Sequence, residues 1–341
     1  MSIEVYTKDL SNRHEITHAI SIQMTAFYND IGKIALIVPI DDYNINALEL
    51  GGIIYDTERD LSYTIQYLKY DTDTNRINCN GYTCNWLLNK RCEISHRTVT
   101  NVESSVYAAV TENLRGLSPV TIDQSKGLTE TADAEWYGGQ ILDNIISVLD
   151  TVELGHRMKW DAVNMQHVFE VYKGNDLTNG IHAVVFSDEQ GTAENLAIID
   201  DVSAMKNFVY VPAQLTTDEE ILETYGDVTG NDRYEYWLNS STRQTNEETE
   251  SDLRFRIKGE AAAEIARCPR RQNFTVDIDA SDYRKIYNLG DKVACVSTRF
   301  GVQFEARITG VKYRLDVTGA KTSITLGKPA LTALGEVKLF G

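Results

Sequence analysis

The sequence has no uninterrupted apolar run approaching the roughly 18 residues needed to cross a membrane, so stable membrane insertion through a helix is not expected. It lacks low-complexity tracts, and its 42% apolar and 24% charged content is that of a folded protein. Basic charge is scarce: 33 Lys and Arg stand against 50 Asp and Glu, a net charge of −17. A nucleic-acid grip needs cations against the phosphates, so the balance disfavours stable DNA binding. Cysteine is sparse and odd in number, at Cys79, Cys84, Cys92, Cys268 and Cys295, which predicts reduced thiols used as small apolar side chains. The first residues enter strand-like alternation with no basic segment leading into an apolar run. Synthesis in a cytoplasm is therefore the expectation.

At 341 residues the chain exceeds what one core usually serves, and two or more domains are expected. The first hundred residues read as short strands. Ile16, Ile20, Ile22 and Met24 recur at period two, and further strands are predicted at 34–39, 53–56, 61–70 and 76–80, separated by polar turns. A helical middle follows. Thr100 and Glu103 form a capping-box pattern ahead of Val102, Val106, Val110 and Leu114, with Gly116 as the stop. Ile141 to Val152 predict a second helix ending at Gly155. Strands return at 168–172, 182–186 and 208–211. Residues 245–268 then predict a long helix capped by Thr245 and Glu248 and stopped by Cys268-Pro269. Leu253, Ile257, Ala261 and Ile265 line one face of it, with Glu250–Arg254 and Asp252–Arg256 as ion pairs. Residues 273–327 read as strands again, with a long hairpin turning at Thr318-Gly319.

Two distant segments echo each other. Leu50-Gly51-Gly52 leads to a long strand, a polar turn and a second strand ending at Gly81; Leu289-Gly290-Asp291 leads to the same series ending at Gly327. The offsets, 239 and 246 residues, are nearly constant, and the order of the pattern predicts a duplicated barrel.

Motifs that suggest chemistry weaken on inspection. His14-Glu15-Ile16-Thr17-His18 matches the zinc-protease pattern, yet that chemistry needs a helix, and the alternating isoleucines predict a strand holding the histidines about 13 Å apart. Asp71, Asp73 and Asn75 open like a calcium loop, but Arg76 stands where its glycine belongs and Tyr82 where its bidentate Glu belongs. Cys79, Cys84, Cys92 and His96 lack the paired spacing of zinc ligands. No nucleophile elbow, Walker loop or dinucleotide glycine fingerprint occurs. The expectation is no catalytic residue, no cofactor and no metal, hence no enzyme.

The chain resembles the siphovirus tail-hub proteins, kin to the baseplate hub of contractile phages. The residues that carry the likeness are Phe169 to Thr178, Val185-Phe186-Ser187 with Asn195-Leu196, Arg233-Tyr234-Glu235, the Leu253 to Ile265 helix with Gly259, Tyr287 to Val293, Arg307-Ile308 and Ile324 to Gly327. The resemblance implies a β-rich α+β fold of two tube-type β-barrels with an α/β portion between them and a helix inserted in the second. The boundaries it implies are 1–95 for the first barrel, 96–185 for the middle and 186–341 for the second barrel with its helix at 245–268. It further implies a homotrimeric ring at the tail tip of a virion, joining the tail-tube or distal tail protein to a spike, fibre or receptor-binding protein, with DNA as transiting cargo. A ring of so acidic a chain would be expected to present a channel that repels phosphates. The alternatives are a wall-active tail hydrolase and the hub of a tailocin or contractile injection device. Relatives often continue into a fibre-like or peptidoglycan-cleaving region; ending at Gly341, this chain would leave wall degradation to a separate protein.

Overall fold

A computed structural model describes residues 3–327, except 118, 188, 190–191, 193, 239–241, 269, 279–281 and 300. The fold is β-rich with few helices, and most of its strands belong to one large curled sheet.

The N-terminal region supplies β1 (Ile3–Tyr6), β2 (Arg13–Ile16), β3 (Ser21–Phe27), β4 (Lys33–Pro39), α1 (Asp42–Ala47), β5 (Ile53–Asp56), β6 (Leu61–Asp71) and β7 (Arg76–Thr83). The strands expected at 34–39, 53–56, 61–70 and 76–80 are present, whereas the alternation through Ile16, Ile20, Ile22 and Met24 is split, β2 ending at Ile16 and β3 starting at Ser21. Period-two burial fixes the register: Ile22, Met24, Ile34, Leu36, Val38, Ile77 and Cys79 face one core with Ile54, Tyr63 and Ile65. Burying each of these large side chains stabilises the fold by about 1.5–3 kcal/mol.

The middle of the chain forms β8 (His96–Asn101), α2 (Val102–Asn113), β9 (Val120–Ile122), β10 (Thr131–Tyr137), α3 (Ile141–Thr151), β11 (Gly155–Asp161) and β12 (Gln166–Tyr172). Both helices bury the apolar stripes that predicted them, Val102, Val106 and Val110 on α2 and Ile141, Leu142, Ile145 and Leu149 on α3. The expected caps differ. β8 continues through Thr100, so the N-cap of α2 is Asn101, whose side chain accepts from the Ser104 amide. α3 ends at Thr151, and Gly155 instead opens β11, packed so close to Tyr28 that an added Cβ would lie 2.3 Å from its ring.

β13 (Val185–Ser187) and β14 (Glu194–Asp201) follow. Residues Ile198–Phe274 are a compact unit of their own, built on β15 (Phe208–Gln214), β16 (Glu220–Tyr225), β17 (Glu235–Trp237) and α4 (Glu250–Arg267). Leu253, Ile257 and Ala261 of α4 pack on Val209, Val211 and Ala213, as their four-residue spacing requires. This helix starts five residues later than expected. Thr249 and Asp252 form its capping box, while Thr245 and Glu248 close a separate turn ahead of it. Arg254 pairs with Glu250 at 2.6 Å as expected, but Arg256 reaches Glu248 and Glu260 in place of Asp252. Pro269 lies outside the described residues.

β18 (Arg271–Ile278), β19 (Lys292–Ser297), β20 (Val302–Asp316) and β21 (Gly319–Leu326) complete the sheet, and the hairpin turns at Val317-Thr318 with Gly319 at φ +109°. The strand order of the first copy, β1-β5-β6-β7-β4-β3, recurs as β13-β19-β20-β21-β18-β14. The strands also follow in the same chain order. Two features break the likeness: β1 pairs β5 antiparallel while β13 pairs β19 parallel, and a turn joins β3 to β4 where residues 202–270 separate β14 from β18. One strand splices the copies together. β20 pairs β19 through residues 302–307 and then β3 through 310–315, so the sheet runs on from the second copy into the first.

Candidate functional surface

Alternation leaves the sheet with a second face, away from the core. On β21, β20, β3, β4, β7 and β6 the register aligns this face into cross-strand rows. One row reads Lys321, Arg314, Gln23, Ala35, Asn80, Tyr67. The next reads Ser323, Lys312, Thr25, Lys33, Tyr82, with the Lys33 amide donating to Thr25 Oγ1 at 2.8 Å. Lys69 and Arg76 stand beside these rows on β6 and β7. Lys33, Lys69, Arg76, Lys312, Arg314 and Lys321 are all exposed.

Among the described residues, the acids beside these rows are Asp71 and Asp316 at the hairpin ends, and Glu305 lies further along β20, paired with Lys292. Asp71 holds Lys69 at 2.9 Å and Asp316 holds Arg314 at 2.5 Å. The hydrogen bond that Lys69 Nζ donates to Asp71 raises the pKa of the Lys69 ammonium. An open concavity of about 600 Å³ lies along the rows, lined by Gln23, Thr25, Phe27, Lys33, Tyr67 and Tyr82. Tyr82 is braced by Trp86, its ring stacked at 5.5 Å. The chemistry of such a face is electrostatic and hydrogen-bonding, with no nucleophile and base set against each other.

The titratable groups of the middle region are bound up in packing. Glu170 is buried and meets Arg157, Lys159 at 3.0 Å and Lys126 at 3.3 Å. Glu103, expected as a capping residue, instead accepts from the amides of Lys126 and Leu128 and from Ser125 Oγ. His156 and His167 are buried, and desolvation lowers both pKa values to about 4. A cavity of about 60 Å³ beside His156, Arg157 and Tyr283 has room for only a few waters.

The sequence motifs fall apart in space. His14 sits in strand β2 opposite Val5, its ring edge-on to Tyr43, while His18 lies beyond the end of the strand. Asp71, Asp73 and Asn75 form the β6–β7 hairpin turn, with Asp71 accepting from the Thr74 amide. Cys79 and Cys84 are buried, Cys92 lies 3.2 Å from the Gln140 side-chain amide, and His96 pairs with Glu135. Among the described residues, no group of three or more His, Cys, Asp or Glu is placed to hold a metal ion. The basic rows had no linear signature, since Lys33 and Lys312 meet only through the β3–β20 pairing.

A family model described as Siphovirus ReqiPepy6 Gp37-like protein matches residues 2–328. Three solved structures share the fold. The tail protein from Neisseria meningitidis MC58 superposes with a TM-score of 0.61 at 12% identity, covering 96% of both chains. The 43 kDa tail protein of prophage MuSo2 from Shewanella oneidensis gives 0.58 at 10% identity, covering 96% of this chain and 98% of its own. Prophage tail protein gp18 from Listeria monocytogenes EGD-e gives 0.53 at 13% identity, covering 98% and 96%. No curated relative matches the sequence.

Proposed function

The chain belongs to the Siphovirus ReqiPepy6 Gp37-like family of siphovirus tail proteins, and from that premise we propose that it is the hub of the tail tip. Three copies close into a ring that joins the tail tube to the spike, fibre or receptor-binding apparatus, and DNA leaves through its centre. The chain contributes architecture and no catalysis, and it resides in the virion.

The observation that supports this reading is the internal repeat. Gly51 donates to Ile65 O and Ile65 donates back to Gly52 O; Gly290 donates to Ile308 O and Ile308 donates back to Asp291 O. Both glycines have positive φ, +86° and +96°. Both long strands then bulge against their hairpin partners, between Ile65 and Tyr67 and between Ile308 and Gly310. A chain that carries one strand scheme twice presents two similar edges, so three chains offer six to a sixfold tube. We take each copy as one tube-type barrel, with the residues near 96–185 as the α/β portion between them. A six-strand copy that recurs in order is what closed cyclic symmetry needs to reconcile three with six.

Imaging of the intact particle tests the proposal. A ring of three chains, with the two copies alternating beneath the tube subunits, is expected. A ring of six chains, or a position away from the tube axis, would overturn it.

A further inference from the structure

The net charge of −17 conceals a local reversal on the sheet face described above. We propose that this face binds the phosphodiester backbone of DNA, through contacts that do not depend on base sequence. The proposal gives the DNA passage in the hub reading its contact surface, and it replaces the expectation of an acid-lined path on this face.

Lys33, Arg76 and Lys312 are exposed, and among the described residues none is held in an ion pair, with Asp71 the one acid placed across the register from Arg76. Register fixes their spacing. Lys312 and Lys33 flank Thr25 from the two neighbouring strands, about 10 Å apart, and Arg76 lies about 20 Å from Lys33 along the strand direction. A single phosphate would reach one of them. A polyanion carrying a charge every 1.7 Å or so of its axis can meet them all together.

The neutral residues between the cations point the same way. Gln23, Asn80 and Ser323 offer side-chain donors of the kind that bond phosphate and sugar oxygens. Tyr67 and Tyr82 add ring faces for unpaired bases. An acidic protein partner would be anchored by an apolar centre, and Ala35 is the one aliphatic side chain in the two rows. A wet, basic, apolar-poor face suits nucleic acid. Such contacts are weak and exchange with salt ions, so a strand sliding past is guided without being trapped.

Fluorescence anisotropy of the purified full chain with labelled DNA of about 20 base pairs or nucleotides, from about 50 to 200 mM salt, tests this. Binding that weakens as salt rises is expected with both duplex and single strands; tighter single-strand binding would assign the tyrosines to base stacking. The K33Q/R76Q/K312Q variant should lose at least about tenfold in affinity at low salt and about 2 to 3 from the log–log salt slope. A control with the same change of charge elsewhere, K8Q/K258Q/K285Q, should retain most of both, and the two variants should melt together. Absence of salt-dependent binding, equal losses in the two variants, or tighter binding of polyglutamate than of DNA would overturn the proposal. The titration does not read ring symmetry, so its failure leaves the hub reading standing, and a ring of the wrong symmetry leaves this contact standing.

Discussion

Ile65 and Ile308 hold the same position in two copies of one backbone motif, each bonded to the two residues after a leucine and each followed by a bulge. The bulge bends the long strand where the glycine turn docks against it, so the turn and the kink are one device used twice.

The two glycines of this motif should nevertheless respond differently to substitution. At Gly290 a Cβ would lie 2.5 Å from the Tyr28 ring, which is buried, in addition to the strain of φ +96°. At Gly51 a Cβ would meet only the flexible Lys8 side chain at 3.2 Å, leaving the cost of φ +86°. Gly290→Val should destabilise by about 3 kcal/mol or more and Gly51→Val by about 1–2 kcal/mol. Urea denaturation measures both. Equal losses would contradict this placement of Tyr28.

Much of this architecture was legible in the sequence. Alternation located β4 to β7, and Leu50-Gly51 and Leu289-Gly290 announced the repeat, because a left-handed turn before a strand demands glycine at a fixed place. Helix starts were less legible. Thr100 and Thr245 carry the right partners three residues on, but β8 runs through Thr100 and a separate turn uses Thr245, and competition of that kind is settled by neighbours. The basic face could not be read at all from spacing. Its cations are spread from Lys33 to Lys321, and only strand pairing assembles them.

Glu103 illustrates how a local motif is redirected by tertiary structure. Its buried carboxylate satisfies the amides of Lys126 and Leu128 and the hydroxyl of Ser125. Glu103→Ala removes the acceptor while the loop amides remain, and should cost about 2–3 kcal/mol. Hydrogen exchange should quicken at residues 126–128 before the rest of the fold. Unchanged protection there would show that the carboxylate is dispensable to the loop.

The histidines of the zinc-protease pattern should bind no zinc. Arg13–Ile16 is a strand, and His14 packs against Tyr43, so the helical face shared by two ligands never forms. Metal analysis of tag-free protein should find zinc well below one per chain, unchanged in His18→Ala. A stoichiometric metal that this variant loses would overturn the assignment.

Acid should destabilise the middle region through His156 and His167. Both are buried neutral, with pKa values lowered by desolvation to about 4 from an ordinary 6.5. Asn85 lies 3.2 Å from Nδ1 of His156, the ring is stacked on Phe169 and, among the described residues, no partner reaches its Nε2. Between pH 6.5 and 4 the unfolded chain binds these protons and the folded chain does not, so stability falls as pH falls through that window. Each histidine contributes a loss on the order of 3 kcal/mol by pH 4, and the contribution is fully present above about pH 7. Phe at position 156 keeps an aromatic ring in the pocket and cannot take up a proton. In urea denaturation at pH 7 and pH 5, His156→Phe should therefore lose less stability on acidification than the parent chain. Should the two proteins lose the same amount, the buried imidazole is not a source of the acid sensitivity.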